Sequence, residues 1–171
     1  GFDAGIASGD RDFTSRWGRA ALDTDASISA DKRGKINNFL FDPDYQIDMI
    51  LWRELFGTFT NGFYIRPHIT YNVYGDAWKD DGFGLRLAGI FSGALVPEAT
   101  LGADPLLGVE LNAMARYASS DGYSIVLAYG VLFPLAGMSF AEVDSTGRRL
   151  EDKVIGAGIA QRIQVRVNVR F

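Results

Sequence analysis

The sequence predicts an all-β chain, a transmembrane antiparallel up-and-down β-barrel that is either whole or a C-terminal portion of a larger one. Three observations predict it. Apolar and polar residues alternate with period two along most of the chain, and heptads are absent. The alternating segments run about 10–13 residues, against about 5–6 in a typical soluble domain. Tilted by ~40° at ~3.3 Å per residue, ten residues rise about 25 Å, the height of the apolar band of a membrane barrel. Aromatic residues, finally, fall at one level once neighbouring strands are laid antiparallel.

Taken in order, Phe2–Ser8 reads as a short first strand. Residues 9–44 are polar and acidic, with Asp10, Asp12, Asp23, Asp25, Asp31, Asp42 and Asp44, and read as a long loop, a plug inside the barrel or an unrecognised strand near Asn37–Phe41. Tyr45–Trp52 sets Ile47, Met49 and Leu51 against Gln46 and Asp48, the pattern of a second strand. In Phe63–Tyr74 the odd positions Phe63, Ile65, Ile69, Tyr71 and Val73 oppose Arg66, His68, Thr70 and Asn72. Phe83–Leu95 carries Arg86, Ala88 and Ser92 on its even side, and Leu107–Tyr117 carries Glu110, Asn112 and Arg116 there. Leu107, Val109 and Leu111 are expected on the apolar side with the other odd residues. Tyr123–Phe133 is apolar at odd positions and small or apolar at even ones. Gly156-Ala157-Gly158 is expected to open the closing strand, which reads Ile163-Gln-Val-Arg-Val-Asn-Val-Arg-Phe171. Side chains alternate faces along a strand, so this segment has one greasy wall and one cationic wall. Gly75–Gly82 and Ser119–Gly122 are short polar turns; Pro97–Pro105 and Ala136–Lys153 are longer loops.

Bulk composition narrows the function. The 171 residues suffice for one domain, 1–171, with a sizeable core. There is no apolar run of about 18 residues to make a transmembrane helix. Mean hydropathy near zero fits a barrel as well as a soluble chain, because a greasy outside and a polar inside cancel. The absence of cysteine excludes a disulfide scaffold and a thiolate metal site. A net charge of −4 argues against nucleic acid as a partner. Gly1-Phe2-Asp3 reads as the interior of a chain, after a removed leader or within a longer protein.

The closing strand, amphipathic and ending on Phe171, resembles the terminal strand of bacterial outer-membrane β-barrels. Ala7-Ser8-Gly9-Asp10, Phe41-Asp42-Pro43-Asp44-Tyr45, Ile50-Leu51-Trp52-Arg53-Glu54 and Tyr129-Gly130-Val131-Leu132-Phe133-Pro134 resemble the C-terminal part of alginate-export-type porins and of deltaproteobacterial outer-membrane barrel proteins. The resemblance implies an outer-membrane location, a lipid bilayer around the strands, and recognition of Phe171 by the barrel-assembly machinery. It also places Phe171 at the periplasmic end. Ala136–Lys153 and Pro97–Pro105 then fall outside the cell and the short turns in the periplasm, the usual barrel asymmetry. Tyr71, Phe83, Tyr117, Tyr123 and Phe171 form an aromatic girdle at one interface, with Phe63, Phe91, Leu95 and Phe133 nearer the other. Seven strands are counted. Single-chain bacterial barrels have an even number, so 9–44 supplies an eighth or part of a larger barrel lies upstream. With the strand at Tyr45–Trp52, parity places 9–44 on the periplasmic side.

The polar face carries the functional expectation. Arg66, His68, Arg86, Arg116, Arg162, Arg166 and Arg170 point inward, with Asp48 and Glu110 as the inward carboxylates. A cationic wall in a confined pore favours anions, and in alginate-export-type porins an Arg-rich lumen passes an anionic polysaccharide. The expected function is thus a porin or export channel for polar or anionic solutes. The bland alternative has these arginines pairing with carboxylates to brace the wall. A structural or adhesive barrel that binds a partner through external loops is the runner-up, and a soluble lipocalin-like or sandwich domain comes third. No enzyme is expected: the lone His68 would need Ser92 or Ser124 beside it. No cofactor and no metal site is expected, because Asp42-Pro43-Asp44 and Asp10-Arg11-Asp12 lack calcium-loop spacing.

Overall fold

In a computed structural model, residues 1–9, 39, 41–42, 44–79, 81–143 and 149–169 are described. Most of 9–44, together with Arg170 and Phe171, lies outside them. Among the described residues eight strands form: β1 (Phe2–Ala7), β2 (Gly62–Gly75), β3 (Gly82–Ala94), β4 (Leu106–Ala118), β5 (Tyr123–Pro134), β6 (Phe140–Val143), β7 (Arg149–Ile155) and β8 (Ala160–Val169). Six of them make one antiparallel sheet in the order β1-β2-β3-β4-β5-β8, and β6 and β7 make a separate hairpin. The chain therefore winds up and down as expected, but the six-stranded sheet is not closed into a barrel. Its outer strands β1 and β8 have a paired neighbour on one side only among the described residues.

The alternation decides which way each strand faces. On one side of the sheet Ile69, Tyr71, Leu87, Leu111, Leu127, Ile163, Val165 and Val167 stand exposed, Ile163 by 72% and Ile69 by 65%. On the other side Tyr64, Ile90, Glu110, Ala128 and Leu132 are buried, the last at 0%. An antiparallel sheet normally turns its polar face to solvent and its apolar face to a core. Here the apolar face is bare and the mixed face is covered.

What covers it is the segment expected to be a second strand. Residues 45–50 form bends, and Leu51–Phe56 makes one π-helical turn in which the Ile50 carbonyl accepts from both Glu54 N (2.9 Å) and Leu55 N (3.0 Å). Gly57, at φ 75°, ends it. The alternation in Tyr45–Trp52 misleads because Ile47, Asp48, Met49, Ile50, Leu51 and Trp52 are all buried, leaving no solvent face. The segment lies across the inner face of β2–β5 and β8 as an inward plug. Trp52 meets Phe59 edge-on at 4.8 Å, Phe59 meets Tyr64 at 5.2 Å, and Phe41 joins Phe59 at 5.1 Å. Gly62 and Gly130 lie beneath it: a Cβ at Gly62 would come within 2.7 Å of the Trp52 ring, and one at Gly130 within 3.2 Å of Met49.

Losing that strand corrects the parity. Ala7 pairs with Gly62, so the connection 8–61 leaves the same end of the sheet as 95–105 and 135–159. All three long connections share one end, and the two short turns, 76–81 and 119–122, share the other. The long connection is thus not on the short-turn side, where a seven-strand count placed it. The loop Ala136–Lys153 contains a 3-10 turn (Ala136–Met138) and most of the β6–β7 hairpin. Residues 156–159 are irregular and β8 opens at Ala160, so Gly156-Ala157-Gly158 precedes the closing strand. Leu107 faces inward at 2% exposure, against its parity. Ser92 pairs with Gly108 but Gly93 pairs with Leu106, so Leu107 is the extra residue of a β-bulge, which turns its side chain into the core.

Candidate functional site: the inward face and its plug

Strand register sorts the inward residues into levels. Nearest the long-loop end lie Tyr64, Ser92 and Gly108, then Ile90, Glu110 and Leu132. His68, Ala88, Asn112, Gly130 and Arg162 follow. Next come Thr70, Arg86, Met114, Ala128 and Gln164, and nearest the short turns are Asn72, Gly84, Arg116, Val126 and Arg166. The plug fills the first levels, and the last ones stay open and cationic.

Among the described residues, three charged inward residues from three strands grip the main chain of the plug. Glu110, 1% exposed, accepts from the backbone N–H groups of Met49 (2.7 Å), Ile50 (3.2 Å) and Leu51 (3.0 Å). Arg66 donates to the Ile47 carbonyl at 2.7 Å and forms an ion pair with Asp3 of β1 at 2.9 Å. Arg162 donates to the Met49 carbonyl at 2.7 Å and contacts the Glu54 carboxylate. Asp48 extends the grip from within: its carboxylate accepts from Trp52 N (3.0 Å) and Arg53 N (3.2 Å). Trp52 donates its indole N–H to Ser92 Oγ at 3.0 Å. Such bonds are strong because carboxylates meet N–H groups away from water. Burial and the Glu110 charge push the Asp48 carboxyl up to about 7, while the Trp52 and Arg53 N–H groups and Arg66 pull it down.

The expected lumen set thus divides. Arg66, Glu110 and Arg162 brace. His68 lies with its Nδ1 3.2 Å from Asp3 Oδ2, an ion-pair distance without hydrogen-bond geometry. Arg86 stacks on Trp78 at 4.2 Å and donates to Thr70 Oγ1 at 3.1 Å, and Arg116 lies 5.8 Å from the same ring. Trp78 comes from the short turn 76–81, and the missing side chain at Gly84 makes room for it: a Cβ there would meet its indole nitrogen at 2.8 Å. Trp78 Nε1 and Arg116 Nε are both buried without a hydrogen-bond partner. No carboxylate among the described residues pairs with Arg86, Arg116 or Arg166. A cavity of about 330 Å³ separates plug from sheet, with Arg53, Arg66, His68, Arg86 and Arg166 against Asp48, the one carboxylate among the described residues of its lining.

Sequence reasoning placed Arg66, His68, Arg86, Glu110, Arg116, Arg162 and Arg166 on one face, and they share it. It missed Trp78 as a platform for two arginines and Arg53 as a cavity residue. Trp78 carried a signal, a large aromatic in a short turn between charged residues. Ser92 cannot reach His68: it lies four residues along β3 from Ala88, the residue opposite His68, or ~13 Å. Of the expected girdle, Phe83 pairs with Tyr117, and the Tyr117 and Tyr123 rings lie 5.9 Å apart. Tyr71 pairs one step inward with Leu85, and the bulge at Asn72/Tyr74 sets Tyr74 opposite Phe83. At the other end Phe63 and Phe91 are 6.1 Å apart. No protein-family model matches the chain, nor does any curated protein or solved structure.

Proposed function

We propose that this chain forms the wall of an outer-membrane β-barrel that passes polar or anionic solutes through an arginine-lined lumen narrowed by the plug 45–60. The observation that carries the reading is the inversion of the sheet: the apolar face is bare and the charged face is covered. In water that arrangement leaves far more contiguous apolar surface exposed than a soluble monomer tolerates, whereas lipid solvates it. The grouping of long connections at one end and short turns at the other supports the same reading. So do the aromatic pairs Phe83–Tyr117 and Phe63–Phe91 near opposite ends of the strands. A bilayer has no water to satisfy bare strand edges, so β1 and β8 require further strands in the assembled barrel. The barrel-assembly machinery would act on β8.

Anion preference rests on Arg86, Arg116 and Arg166, which lack carboxylate partners among the described residues and stand at the open, short-turn half of the face. Conductance across a planar bilayer tests this. A wild-type current is expected, and its reversal potential in a salt gradient reports selectivity. Arg116→Glu and Arg166→Glu are expected to shift that potential toward cations. An unchanged potential would assign these arginines to bracing. No current at all would leave a barrel that serves as a structural or adhesive element. A folded monomer in detergent-free buffer would end the membrane reading.

A further inference from the structure

Two buried carboxylates grip successive N–H groups of one segment. Glu110 of β4 accepts from Met49, Ile50 and Leu51, and Asp48 accepts from the next two N–H groups, Trp52 and Arg53. Both side chains are nearly inaccessible, at 1% and 5%. Two ionised carboxylates on successive N–H groups repel each other, and burial raises the cost of holding both charges. We propose that Asp48 and Glu110 form a proton-linked clasp, with Asp48 carrying the proton: the plug stays docked while Asp48 is protonated beside the Glu110 carboxylate and loosens when Asp48 ionises.

The surrounding charges do not cancel this. Arg66 of β2 faces Asp48 and favours its ionised form, yet that guanidinium is already engaged by Asp3 and the Ile47 carbonyl. Arg53 and Glu54 of the plug pair loosely with each other at 3.7 Å, and Arg162 of β8 contacts Glu54. His68, Arg86 and Arg166 line the same cavity. Because His68 lies in that cavity, its contribution is separated by experiment.

The direction follows from linkage. The docked Asp48 carboxyl sits at about 7, above its ordinary 3.8. It therefore holds its proton more tightly docked than released. This contribution to docking is full below about 4, weakens as the pH climbs, and is gone above about 7. Acid locks the plug and alkali frees it.

Hydrogen exchange of the whole protein in detergent micelles reads docking directly. Protection factors, corrected for intrinsic exchange, are compared for the amides of Met49–Arg53 from pH 5 to 9. The wild type is expected to lose about tenfold protection there between pH 6 and 8, with the β4–β5 amides unchanged as an internal reference. Asp48→Asn removes the charge while keeping an acceptor oxygen, and its plug is expected to stay protected across the range. His68→Gln is expected to keep the wild-type transition. A flat wild-type profile overturns the clasp on its own, even if Asp48→Asn fails to fold. A transition that survives in Asp48→Asn, or vanishes in His68→Gln, overturns it as well. Exchange does not require a conducting pore, so a barrel that carries no current leaves this result standing. Where current is measured, it is expected to rise with pH over the same interval.

Discussion

Glu110 is a carboxylate held at 1% exposure with three backbone N–H groups on its oxygens. A buried charge survives only with such partners, and removing the acceptor strands the donors as well. Glu110→Ala is therefore expected to cost about 2–4 kcal/mol, read as a lower denaturant midpoint in micelles. Glu110→Gln keeps an acceptor oxygen and is expected to lose about half as much. The same logic separates the arginines. Arg162→Ala frees the Met49 carbonyl and Glu54 and loosens the plug, while Arg166→Ala has no described partner to strand. At this scale the sequence revealed direction but not partnership. Parity alone placed Glu110 and Arg162 on the inward face. That most of their partners are backbone atoms of residues 49–51 was not legible, because main-chain groups leave no mark in a pattern of side chains. Arg170 and Phe171 lie outside the described residues, so the terminal members of both sets keep only their sequence-based assignment.

Elements differ in how much of their environment the sequence encodes. β2, β3, β4 and β8 were readable because each has one face of each kind, and β5, small or apolar on its even face, because the turn Ser119–Gly122 precedes it and Pro134 ends it. Tyr45–Trp52 was misread because burial of residues 47–52 removes the contrast on which the period-two signal depends, and Asp48, which looked like a polar-face residue, accepts from Trp52 N and Arg53 N of the turn that follows it. Strand glycines are a second case. A glycine within a strand serves curvature or close approach, and the structure separates the two. A Cβ at Gly130 would meet Asn112 Oδ1 at 2.7 Å and Met49 at 3.2 Å, whereas one at Gly89 finds only Leu111 at 3.6 Å. Gly130→Val is thus expected to cost about 1–3 kcal/mol through overpacking and to expose the plug to exchange or protease. Gly89→Val, on the open outer face, is expected to be tolerated within about 1 kcal/mol, because β-branched residues suit a strand. Equal destabilisation by the two would mean that the plug does not press on the sheet where Gly130 lies.

At the scale of the whole molecule the inverted sheet makes its own demand. Leu127 stands mid-strand on β5 with Ala115 and Val165 as its neighbours, half exposed on the apolar face. Gln164 lies one residue from Val165 on the opposite face, in the cavity lining. If lipid bathes the outer face, a charge at Leu127 enters hydrocarbon near its midplane while a charge at Gln164 enters a polar lumen. Leu127→Arg is expected to destabilise the protein folded in phospholipid vesicles by about 2–4 kcal/mol, and Gln164→Arg by about 0–1 kcal/mol. Urea titration of vesicle-folded protein measures both. A soluble sheet would give the opposite ranking, because an arginine on a water-exposed face is nearly free while one in a covered cavity beside Arg86 and Arg166 is repelled. The ranking of two substitutions about one residue apart in height thus reports which solvent each face meets, independently of whether the lumen conducts or the plug moves.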